Sequence, residues 1–153
     1  YPDKLPLDTD NDLLIINDEE LRQLAGDWNV PRAANWVLAQ GARRVIVKRG
    51  EHGALLVEPG GRFYAPAFPL EEVFDPTGAG DCFAGGVLGY IARSGEVSSP
   101  VLRRAIVYGA AMGSFAVARF GIGGFEGVTR ESLQERVQSF HDLTHVDLAE
   151  PIG

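Results

Sequence analysis

The chain has one cysteine, Cys82, in 153 residues, and three histidines. A lone cysteine excludes an internal disulfide and argues against a zinc site; it suits a reducing cytoplasm. His52, His141 and His145 are read as lying outside any metal site. Positive charge is also short: 14 Lys and Arg stand against 21 Asp and Glu, a net charge of −7. Non-specific nucleic-acid binding needs a basic surface and is not expected. No apolar run reads as long enough to span a membrane, and there is no signal-peptide pattern, so no membrane partner is expected. Repeats and low-complexity tracts are absent, as is an initial methionine, which leaves a preceding segment as an expectation. What is present is ordinary for a soluble domain, with 45% hydrophobic and 23% charged residues,. The length suits one domain with its own core.

Buried-type strands alternate with helical patterns along the chain. Tyr1 to Asn11, rich in Pro and Asp, reads as a lead-in. Leu13-Leu14-Ile15-Ile16 is a short apolar run of the buried-strand kind, and Leu21 and Leu24 mark a short helix after it. A second helix is expected from near Pro31, a residue suited to a first turn, to Gln40, with Gly41 as its stop. Val45-Ile46-Val47 is the next strand. Ala54 to Val57 and Arg62 to Tyr64 read as a hairpin with a loop of four or more residues. Phe83, Val87 and Ile91 then recur every four residues on one helical face. Gly85, Gly86 and Gly89 in that helix cost roughly 1 kcal/mol each relative to Ala, so close backbone packing is expected to offset them. Pro100 to about Phe120 is apolar on most sides and reads as a buried helix. A last helix is expected to start near Thr129 and to carry Leu133, Val137 and Phe140. The expected class is α/β, a sheet with helices on both faces.

The chemistry concentrates in Asp75-Pro76-Thr77-Gly78-Ala79-Gly80-Asp81, a turn that runs into an apolar helix. Glycines let the backbone bend and bring its N–H groups close to a ligand. A helix N-terminus supplies free donors and the positive end of a dipole, which together suit phosphate. Asp81 would stand beside that phosphate as a proton acceptor. The same residues also fit a tight turn followed by an acidic first-turn residue. Asn17-Asp18-Glu19-Glu20 has the spacing of a capping box. Lys48 and Arg49 could meet phosphates or be solvated loop charges. Cys82 reads as a small buried hydrophobe.

Asp-Pro-Thr-Gly-Ala-Gly-Asp with Phe83, Gly85 and Gly86 resembles the C-terminal signature of the ribokinase-like (PfkB) carbohydrate kinases. In the right order, Asn17 to Glu20 resembles the family's Asn-x-x-Glu motif. Lys48 to Gly53 resembles its Gly-x-x-Gly nucleotide loop, and Ser114 to Gly121 its late helix beside the nucleotide. The likeness covers Leu13 to about Phe140. It implies a partial ribokinase-like three-layer α/β/α fold, with residues 1–153 as a single C-terminal nucleotide-binding and catalytic region. It implies ATP-dependent phosphoryl transfer to a hydroxyl of a sugar or related small molecule. Asp81 would be the base, and the backbone of Gly78, Ala79 and Gly80 the anion hole. Asn17, Glu20, Lys48, Gly50 and Gly53 would serve ATP and Mg2+. Asp75 and Thr77, with carbonyls near Ala116, Arg119 and Gly121, would hold K+.

The family's N-terminal sugar-binding half is not recognisable here, so the resemblance implies a piece of a longer kinase or a short natural product. An exposed first strand and self-association into a homo-oligomer are expected consequences. Two alternatives stay open: a non-catalytic nucleotide-binding or interaction module, and a nucleoside or vitamin kinase of the same superfamily.

Overall fold

A computed structural model of the protein describes residues 13–70, 78–118 and 127–149. Its centre is a sheet of four strands in the order β1-β2-β3-β4: β1 (Leu13–Asn17), β2 (Arg44–Lys48), β3 (Ala54–Glu58) and β4 (Gly61–Ala65). β1 and β2 are parallel, joined through α1 (Asp18–Ala25) and α2 (Val30–Ala39); β2, β3 and β4 are antiparallel. α3 (Ala79–Ser94), α4 (Ser99–Ala118) and α5 (Arg130–Thr144) follow.

Side chains alternate across a strand, so an uninterrupted apolar run implies that both faces are covered. On β2, Val45 and Val47 join one core with Leu21, Ala33, Ala34 and Val37 of α1 and α2. Ile46, between them, points the other way and joins Leu56, Phe83, Val87, Leu102 and Ile106. The sheet thus separates two apolar layers, as the α/β expectation required. Fully burying each of the Val, Leu, Ile and Phe side chains among them contributes roughly 1.5–3 kcal/mol before entropy is counted. β1 is the outer parallel strand of the described sheet, with Leu13, Leu14 and Ile15 only half-buried.

α3 and α4 pack almost backbone to backbone. A Cβ added to Gly109 would lie 2.7 Å from the Phe83 carbonyl oxygen and the same distance from Val87 Cγ2. One added to Gly86 would lie 2.9 Å from the Gly109 Cα, and one on Gly113 would lie 3.3 Å from the Ala79 carbonyl oxygen. The pairing of small residues therefore fixes where α3 begins. Gly86 justifies the expectation of close packing. Gly85 and Gly89 do not, since an added Cβ there meets nothing within 4 Å.

Two further expectations are corrected. The hairpin loop is two residues, Pro59 and Gly60, because Gly61 already pairs with Glu58; a proline–glycine pair suits a type II turn. And α4 is in fact long and apolar enough, by length and composition, to cross a membrane. Half of that stretch is buried inside the fold, where Leu102, Ala105 and Ile106 pack in the core shared with the sheet and α3. Its hydropathy is accounted for as a core helix. α5 begins as expected, with Thr129 in a reciprocal capping box with Ser132, but only Phe140 of its apolar face is fully buried.

Candidate active site

β1 and β2 end side by side, at Asn17 and Lys48, which are register partners. In open α/β sheets ligands collect outside such carboxyl ends. β1 passes directly into α1. The Asn17 Oδ1 accepts a hydrogen bond from the Glu20 N–H at 2.7 Å, and its Nδ2 donates to Glu20 Oε1 at 2.6 Å. Half of the capping box that the spacing suggested forms: Asn17 caps the Glu20 N–H, but the Glu20 carboxylate takes the Asn17 side-chain amide instead of its backbone N–H,.

β2 passes into a short loop around a 3₁₀ turn, Gly50–His52. The Arg49 N–H donates to the Gly53 carbonyl at 2.8 Å, and the Gly53 N–H to the Gly50 carbonyl at 3.2 Å. From β4, the Tyr64 hydroxyl donates to the His52 carbonyl and ties the loop to the hairpin. Gly53 has φ 85°, and a Cβ there would lie 2.1 Å from the Ala65 carbonyl oxygen and 2.8 Å from Pro66 Cα. No larger residue fits without moving backbone.

α3 begins differently from α1. Its N-cap is Gly78, at φ 81°, which has no side chain to offer, and no side-chain cap bond is made. The left-handed conformation is one that glycine adopts at little cost. Among the described residues nothing accepts from the first-turn donors at Ala79, Gly80 and Asp81, which suits a ligand or water,. The Lys48 ammonium reaches this same point: a Cβ on Gly80 would lie 3.6 Å from Lys48 Nζ. A flexible cation and a helix N-terminus thus converge from separate elements, an arrangement suited to phosphate oxygens. Asp81 follows immediately and is exposed. Burial and, second, the Asp81 carboxylate push the Cys82 thiol up from its ordinary range. That disfavours a nucleophilic thiolate, although Cys82 is only partly buried and not the buried hydrophobe expected.

These features border a cleft of about 690 Å³. Lys48, Gly50, Gly53, Ala79 and Gly80 line it, together with an apolar wall that includes Pro66, Phe68, Leu70, Ala110 and Val117. The Asn17–Glu20 pair and Asp81 stand outside its lining. Ala116 is buried in the last described turn of α4. Asp75, Thr77, Arg119 and Gly121, the other expected cation ligands, lie outside the described residues. Among the described residues no group of three or more His, Cys, Asp or Glu could hold a metal ion. Sequence reasoning missed Tyr64, Phe68 and Arg136. Their partners are far away in the chain, and no spacing signal connects them.

Comparison with known proteins gives a consistent picture. The family described as pfkB family carbohydrate kinase matches residues 9–126. Cytidine kinase of Thermococcus kodakarensis is 38% identical over 84 residues, covering 54% of this chain and 30% of that protein. The crystal structure of aminoimidazole riboside kinase from Salmonella enterica, complexed with aminoimidazole riboside and an ATP analog, superposes with a TM-score of 0.71 at 31% identity. It covers 82% of this chain and 42% of that one. A ribokinase-II-type structure from E. coli, in complex with ATP and Mg2+, gives a TM-score of 0.66 at 33% identity over 86% of this chain and 39% of that one. The chain spans about a third of the length of the curated relatives it matches. The mixed sheet with flanking helices is therefore part of a ribokinase-like fold.

Proposed function

The chain belongs to the pfkB carbohydrate kinase family, and on that premise we propose that it carries the nucleotide-binding and phosphoryl-transferring region of a cytoplasmic kinase. Residues 1–153 form one such region, and the reaction moves the terminal phosphoryl group of ATP to a hydroxyl of a sugar or sugar-like small molecule. The observation that carries this reading is the uncapped start of α3 with the Lys48 ammonium beside Gly80, at the edge of the cleft.

Phosphoryl transfer asks the protein chiefly for positioning and charge stabilisation. The N–H groups of Ala79 and Gly80, behind the turn at Gly78, would donate hydrogen bonds to the oxygens of the transferred group and stabilise the charge that builds on them. Lys48 would neutralise adjacent phosphate oxygens and hold them against that turn. Gly50 and Gly53 let the loop backbone lie close to the nucleotide. Asp81, one position beyond the anion site, would accept the proton of the acceptor hydroxyl. The exposure of Asp81 suits this role, because the acceptor must reach it from solvent or from another part of the protein.

Magnesium is usually held by one or two carboxylates together with substrate phosphates and water. The donor set fits: Glu20 offers a hard carboxylate, and Asn17 sits next to Lys48 in register. In this reading the cap and the metal role coexist: Glu20 and Asn17 would help to hold the ion while keeping their contact. When bound, magnesium would offset the charge of the phosphates. Potassium belongs to the proposal through Asp75, Thr77, Ala116, Arg119 and Gly121. The half-buried edge at β1 would serve association with a second copy or a neighbouring segment.

A nucleoside acceptor is the second reading, favoured by the 38% identity to a cytidine kinase. A panel of sugars and nucleosides, phosphorylated by the intact protein, separates the two. The base assignment is tested by Asp81→Asn in that protein: kcat should fall by about 10²–10⁴. Survival within about tenfold, equivalent to ~1.4 kcal/mol of barrier, would remove Asp81 from the role. Binding of MgATP with no turnover on any acceptor would favour a non-catalytic nucleotide module instead.

A further inference from the structure

Behind the apolar wall of the cleft lies a cationic clamp. The Arg136 guanidinium, on α5, sits 3.9 Å from the centre of the Phe115 ring and 4.9 Å from that of Phe68. Its Nη1 donates to the Ser114 Oγ at 3.0 Å, and that hydroxyl donates onward to the Ala111 carbonyl at 2.6 Å. Phe68 also rests against Phe140, with ring centres 5.1 Å apart and planes tilted by 55°. Phe68 and Ser114 line the cleft, whereas Arg136 stands one layer back. Phe68 belongs to neither a helix nor a strand, so backbone pairing does not fix its ring. Arg136 and Phe140, both on α5, do. Arginine suits the task because its flat, delocalised cation can stack on aromatic rings while its edge donates hydrogen bonds.

We propose that Arg136 is a positioning residue that sets the wall against which the nucleotide base packs. This rests on the nucleotide reading above: with phosphates at Lys48 and Gly80, the base must lie along the apolar remainder of the cleft. Arg136 lies on α5, beyond the residues matched by the family, 9–126, while Phe68, Ser114 and Phe115 lie within them.

Two probes separate base from phosphate recognition, ADP and inorganic tripolyphosphate, titrated into the chain by calorimetry. Arg136→Met should raise the ADP Kd about tenfold, the size of a lost, partly desolvated cation–π contact, and leave the tripolyphosphate Kd within about twofold. Lys48→Met should weaken both probes. Arg136→Lys, which keeps the charge and loses the planar fork, should fall between wild type and Arg136→Met, and it serves as the test variant if Arg136→Met does not fold. In turnover by the intact protein, Arg136→Met should raise KM for ATP about tenfold with kcat changed less than about twofold. Equal losses for both probes, no loss for either, or a fall confined to kcat would each overturn the proposal. Failure of the unmutated chain to bind ADP or tripolyphosphate would instead overturn the nucleotide reading beneath it.

Discussion

At the carboxyl end of the sheet, α1 starts with side chains closing its first turn, and α3 starts open: among the described residues nothing takes its first donors. Asn17 and Glu20 exchange hydrogen bonds across the first turn of α1. Gly78 offers α3 nothing but a backbone turn. The closed end is bought with side chains that stabilise the fold locally. The open end gives up that stabilisation and keeps a set of oriented N–H groups available, with Lys48 close by. On the proposed reading, the difference separates a helix start whose side chains are tied to one another from one left to meet phosphate. It also explains why the neighbouring glycines are unequal: Gly109 and Gly113 on α4 hold the open end in place, while Gly85 on the outer side of α3 touches nothing.

The comparison breaks most sharply at Lys48. Lys48→Met removes a charged partner from the open end, where a hydrogen bond to a charged group contributes about 1.5–3 kcal/mol. Metal-free tripolyphosphate binding should weaken by about 10- to 100-fold, with the melting temperature little changed; an unaltered Kd would detach Lys48 from the site. Next comes the support of that end. Gly109→Ala forces a Cβ onto the Phe83 carbonyl and Val87, and should destabilise by about 1–3 kcal/mol. Gly85→Ala, with free space around it, should stabilise by up to about 1 kcal/mol from helix propensity alone. Urea unfolding of the two variants checks this, and matched signs would refute the packing account. The smallest effect belongs to the closed end. Asn17→Ala should cost about 1 kcal/mol of stability and leave metal-free tripolyphosphate binding within about twofold. Asn17→Ser, a comparable cap, should recover most of that stability.

Much of this was legible in the residues. Continuous apolar runs such as Val45-Ile46-Val47 required cover on both faces, and they have it. The four-residue recurrence of Phe83, Val87 and Ile91 located α3, and the Asn-x-x-Glu spacing announced the Asn17 cap of α1. The hairpin loop was misjudged because Gly61 looks like a turn residue, yet it pairs with Glu58. Glycine spacing within α3 could not say which glycine meets α4, since that depends on how the two helices cross. The wall of the cleft was hidden for a similar reason. Arg136, Ser114 and Phe68 come together only after α5 docks on α4, and no local pattern encodes that meeting.

The most direct test of the open end is a titration followed by amide nitrogen–proton NMR shifts. With ADP added to the chain, the amides of Ala79, Gly80 and Asp81 should move together, with one Kd shared by the loop amides of Gly50 and Gly53. The capped starts of α2 and α5, at Arg32 and Ser132, should remain still. Saturable binding that shifts other amides and leaves 79–81 unmoved would contradict the account.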